Sequence, residues 1–155
     1  MTDTADELAL ISDSLECYAE RHGDMAPLVY KRFFELNPEA AALMEYSDEY
    51  MRGRMFASMI ELFLSDEHLE PGGYLTWELD NHIKAYSATT AMYESLFQSM
   101  RDVLDNDLGA DWRPEWQQAL ANRIDRIMEQ VTRFSWQTVS ISPESGKALC
   151  DKKGE

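Results

Sequence analysis

Cysteine is scarce in this chain. Cys17 and Cys150 are the only two among 155 residues, and their placement suggests neither a disulfide framework nor a thiolate metal site. Glycine (7) and proline (5) are also few. The glycine pair Gly72-Gly73 lacks the spacing and the lysine of a phosphate-binding loop. Neither HExxH nor CxxC occurs, and three scattered histidines (His22, His68 and His82) are too few for a zinc site. No stretch approaches about 18 consecutive apolar residues, so no membrane span is expected. The opening MTDTADELAL is acidic and lacks a basic region followed by an apolar run. No secretory signal is read there, and a cytoplasmic address is the expectation.

Basic residues are the other shortage. Lys and Arg number 14 against 29 Asp and Glu, a formal net charge of −15. The segment 140–155 holds Glu144, Asp151 and Glu155 against Lys147, Lys152 and Lys153, so the deficit belongs to the rest of the chain. Such a surface repels phosphate backbones and anionic lipid, which argues against nucleic-acid and membrane partners. It suits solubility and leaves a basic protein partner open.

What the chain does have is apolar content, 45% of residues with 11% aromatic, recurring at helical spacing almost throughout. A domain of this length can bury roughly 70% of the surface its unfolded chain exposes. Helices are read over about Thr4 to Arg21, ended by His22-Gly23, and over a segment capped by Asp24 that runs to Leu36. Asn37-Pro38 breaks the chain, because the residue before proline avoids helix. A short helix follows to Met44. The next, capped by Ser47 or Asp48, carries the stripe Met51, Met55, Met59, Leu62 and Phe63. Glu70 to Gly73 is a loop. Further helices are read over Tyr74 to Tyr86, over about Ala91 to Leu108, and from Arg113-Pro114 onward. Beyond Gln137 the periodicity dissolves. The chain is thus read as all-α, with residues 1–138 one domain and 139–155 a polar, flexible tail.

His22 and His68 fall near helix ends or loops and are read as solvated. His82 lies mid-helix within WELDNHIKAY. By itself a helical histidine is more often a partly buried residue bonded to a neighbour than a ligand. Its setting is more specific. Tyr30 and Phe34 stand one turn apart before an Asn-Pro break (VYKRFFELNPEAAALM). A helix MRGRMFASMIELF follows, then the helix with His82 and Tyr86. Tyr93 comes eleven residues after His82, and LGADWRPEWQQAL opens the last helix. From about Leu8 to Phe134 this succession resembles the globin family, in particular single-domain bacterial globins and the haem domains of flavohaemoglobins.

The resemblance implies a globin-like helical sandwich of about seven helices. It implies one haem b (iron protoporphyrin IX) ligated by His82, with neutral imidazole as the axial ligand. It also implies reversible binding of a diatomic gas: oxygen, nitric oxide or carbon monoxide. Tyr30 matches the tyrosine above the iron, where a phenol can donate a hydrogen bond to the gas. Phe34 would line the same pocket. Tyr86 and Tyr93 match proximal tyrosines, and Tyr93 matches the one that helps a carboxylate polarise the histidine. That carboxylate is missing from the last helix: Ser135 falls near its place, and Glu129 lies elsewhere on the helix.

Two further departures concern the opposite face. Met44 stands where the family carries a phenylalanine against the haem, and Met51 stands where it carries His or Gln, with Met55 one turn deeper. These methionines read as core packing, or, more sharply, Met51 or Met55 as a sixth iron ligand. The resemblance to flavohaemoglobins also implies nitric-oxide dioxygenation; with no flavin domain here, that would require a separate reductase as partner. A gas or redox sensor or interaction module, and a haem-free helical domain of globin shape, stand as alternatives.

Overall fold

The computed structural model describes residues 4–70, 73–85 and 88–154, with backbone alone from 135 onward. Among the described residues the chain is all-helical, with seven α-helices in the order α1 (Thr4–His22), α2 (Ala26–Leu36), α3 (Pro38–Leu43), α4 (Glu49–Leu64), α5 (Tyr74–Leu79), α6 (Thr90–Leu108) and α7 (Pro114–Gly154). No described helix is long and apolar enough to cross a membrane.

Local chemistry sets the boundaries. Gly23, at φ +75°, ends α1 in the left-handed region that glycine adopts without penalty. The Asp24 carboxylate accepts from the Ala26 N–H at 3.0 Å and opens α2. Asn37 closes α2 and caps α3, its side chain accepting from the Ala40 N–H at 3.1 Å ahead of Pro38. Asp48 caps α4 through the Met51 N–H at 2.7 Å. Thr89 caps α6 through the Met92 N–H at 3.2 Å.

The buried core includes Ile11, Tyr18, Val29, Phe63, Phe97, Leu104, Leu120 and Ile127. Helix α2 lies against α6, α1 against α7 and α6 against α7, while α4 touches α1, α2 and α7. Between α1 and α6 the Tyr18 hydroxyl donates to the Asp107 carboxylate at 2.5 Å. His22, exposed as expected, contacts the Asp107 carbonyl oxygen at 3.1 Å. The His68 side chain lies outside the described residues.

One segment differs from the sequence expectation. The helix expected over Tyr74 to Tyr86 is α-helical to Leu79 and then becomes a π-helix over Asp80–Ala85. That wider turn carries His82. Helix α7 runs on through Gly154, into the segment 139–155. Apolar periodicity reports burial and fades beyond Gln137. A helix already nucleated still gains one hydrogen bond for each residue it fixes, so it can continue past the last buried turn.

Candidate functional site

Helices α2, α3, α4 and α6, together with the α5 and π-helical segment, enclose a cavity of about 440 Å³. Its lining is mainly apolar, from Leu, Met, Phe and Ala side chains, with Glu78, Asn81, His82, Ser47 and three tyrosines as the polar groups. An apolar enclosure of this size with a few convergent polar groups is the usual form of a small-molecule site.

The cavity collects six of the eight residues expected at the site: His82, Tyr30, Met44, Met51, Met55 and Tyr93. Tyr86 lies outside the described residues, as does the side chain of Ser135. Phe34 is not among the lining residues. It follows Tyr30 by one turn, but Phe33 takes the place on the cavity wall. Phe34 is half-buried outside the lining, stacked on Phe33 at 5.7 Å between ring centroids. The Arg52 guanidinium lies 5.6 Å above the Phe34 ring. Arg52 is itself held by the Ser47 hydroxyl at 3.1 Å and the Ser47 carbonyl at 2.8 Å. Both rings lie near the Tyr30 side of the helix, and the cation covering Phe34 marks it as the outward one.

His82 is partly buried, its side chain 26% exposed. Burial lowers its pKa from the ordinary value, because a low-dielectric surround penalises the imidazolium. The ring is therefore neutral at pH 7, the form that can act as a ligand. Its Nδ1 lies 4.0 Å from Oε1 of Glu78, one turn earlier, whose side chain is only 13% exposed.

Tyr30 is 4% exposed. Burial raises its pKa well above the ordinary phenol value; Glu78 raises it further and Arg52 opposes. Its ring packs with Phe33, Phe34 and Phe56. Tyr93 behaves alike: burial raises its pKa, and the charge of Glu78 adds to this. The Tyr93 hydroxyl is buried and has no hydrogen-bond partner among the described residues. A buried donor without a partner costs about 1–3 kcal/mol, so one in a cavity wall points to an absent ligand or water. The methionines are graded by depth. Met51 is 51% exposed at the rim, Met55 is half-buried, and Met59 is buried.

Sequence reasoning passed over Glu78, Asn81 and Ser47, along with Met59 and Met92 as wall residues. The signal for Glu78 was its i, i+4 spacing to His82, which places the two side chains on one face. Met59 continues the spacing of Met51 and Met55. No protein-family model matches the chain, and no curated protein matches it.

Proposed function

We propose that the chain is a globin-type haem protein that reversibly binds a diatomic gas, oxygen foremost, at an iron ligated by His82. One observation carries this reading: a neutral, partly buried imidazole opens onto an apolar cavity that also holds the buried Tyr30 and the partly buried Tyr93. The residues present suit the group. The methionine, leucine and phenylalanine side chains offer apolar contact to a flat ring, and the unpartnered Tyr93 hydroxyl offers a polar one.

Haem iron supplies the coordination position at which a gas is taken up. The chain's own residues do the rest. His82 presents a lone pair from a fixed point on α5 and its π-helical continuation. Tyr30, held protonated by burial, is a hydrogen-bond donor on the wall of an apolar cavity, where such a bond is stronger than in water. Met44, Met55 and Met59 supply apolar, adaptable wall to the same space.

The test is a visible absorption spectrum of the chain expressed with ample haem, in ferric, ferrous and carbon-monoxide-treated forms, beside His82→Ala. The expected result is a Soret band that shifts with carbon monoxide and is lost or weakened in His82→Ala. No Soret band in the wild type, or an unchanged spectrum in His82→Ala, would overturn the proposal.

A further inference from the structure

The proposed iron ligand needs something to fix which of its nitrogens faces the cavity. A histidine that binds through Nε2 carries its proton on Nδ1, and the acceptor of that proton sets the ring's orientation and basicity. The last helix, where Glu129 is exposed, brings no described carboxylate to the cavity wall.

Glu78 is placed for that task. It lines the cavity beside His82. Its side chain is 13% exposed, and Oε1 stands 4.0 Å from His82 Nδ1. That distance is longer than a hydrogen bond, whose N···O separation is about 2.7–3.2 Å, and is the separation of a close charged approach. Tyr30 and Tyr93 line the same cavity as Glu78, and the charge of Glu78 adds to the raised pKa of both. The change from α- to π-helix at Asp80 falls between Glu78 and His82. It widens the turn joining them, a local irregularity often found at functional positions.

We infer that Glu78 is the positioning residue for His82: its carboxylate accepts the Nδ1 proton and thereby directs Nε2 into the cavity. The inference rests on the haem reading for its purpose, but its geometry concerns two side chains of this chain alone. A carboxylate acceptor makes the imidazole more electron-rich than a carbonyl acceptor would, so a ligated iron is expected to have a strengthened bond to His82 and a lowered reduction potential.

The experiment uses the full chain and Glu78→Gln, which keeps the side-chain size and removes the charge, with Glu129→Gln as control. In the haem-loaded protein, Glu78→Gln is expected to move the ferrous iron–histidine stretch to lower frequency and the potential to more positive values, with Glu129→Gln unchanged. In the metal-free chain, nitrogen NMR of His82 is expected to show the Nδ1–H tautomer in the wild type and a loss of that preference in Glu78→Gln. A stretch, potential and tautomer that all stay put in Glu78→Gln would overturn the assignment. A wild-type chain that takes up no haem would sink the gas-binding proposal, and the tautomer would still decide the role of Glu78.

Discussion

Arg123, in the N-terminal part of α7, donates from Nε to the carbonyl oxygen of Leu62 at 2.9 Å. The same guanidinium donates to the Ser65 carbonyl at 2.7 Å and pairs with Asp66. The last carbonyls of α4 have no partner within their own helix. A fully buried arginine from α7 supplies one, and a positive charge at a helix C-terminus is favourable as well. Arg123 thus joins the helix that roofs the cavity to the longest helix of the fold. Replacing it with Met keeps the bulk but strands two carbonyls. Arg123→Met is expected to lower stability by about 3 kcal/mol, since each buried unsatisfied group costs about 1–3 kcal/mol. Urea unfolding checks this. A loss below about 1 kcal/mol would mean that water satisfies those carbonyls.

Gly53 gives the opposite expectation. It lies inside α4, and a Cβ built there meets no atom within 4 Å. Glycine in a helix interior is less favourable than alanine by about 0.5–1 kcal/mol, much of it through the freedom of the unfolded chain. Gly53→Ala should therefore stabilise the chain by about that amount, read as a higher urea midpoint at unchanged slope. A lower midpoint would show that α4 needs flexibility at this position.

Much of this architecture was legible because its causes are local. Asn37-Pro38, Asp48, Gly23 and Gly109 mark helix ends through chemistry confined to a few residues. The resemblance implies one pocket for Tyr30, Met51, Met55, His82 and Tyr93, and these five side chains line one cavity. What escaped depends on packing. Phe33 and Phe34 are equally apolar, and only the Arg52 guanidinium above Phe34 distinguishes the outward ring. Arg123 lies within an apolar stripe, where nothing in the sequence announces that carbonyls from α4 await it. Glu78 stands next to the charged and polar run Asp80-Asn81, and its place on the cavity wall becomes visible only in the tertiary structure. The π-helical segment reflects competition between hydrogen-bond registers that residue types alone do not decide.

The buried tyrosines predict how the chain fails in alkali. Tyr18, Tyr30 and Tyr93 all have pKa values raised by burial, with Asp107 adding to the effect at Tyr18 and Glu78 at the other two. In the unfolded chain a tyrosine ionises near pH 10. Above that pH the unfolded state loses protons that the native state keeps, so stability falls as pH rises. The contribution is fully present below about pH 10 and is lost as pH climbs toward the higher native values. Tyrosinate absorbance near 295 nm should therefore rise in two stages, the exposed residues first and the buried ones together with loss of helical circular dichroism. A single ordinary titration with the helices intact would contradict the burial of these phenols.

Tyr30 offers the sharpest functional test, and it depends on the haem proposal. Its ring is fixed by Phe33, Phe34 and Phe56, so Tyr30→Phe should preserve packing while removing one donor from the cavity. A hydrogen bond from a buried donor to a polar ligand is worth about 1–3 kcal/mol, and each 1.4 kcal/mol is about tenfold in an equilibrium constant. If the bond is broken on the way out, Tyr30→Phe should release oxygen roughly tenfold to a hundredfold faster than the wild type, with haem content unchanged. Stopped-flow displacement of oxygen by carbon monoxide gives that rate directly. An unchanged rate would make Tyr30 a core ring and move the search for a donor to the other polar groups of the wall, Ser47 and Asn81.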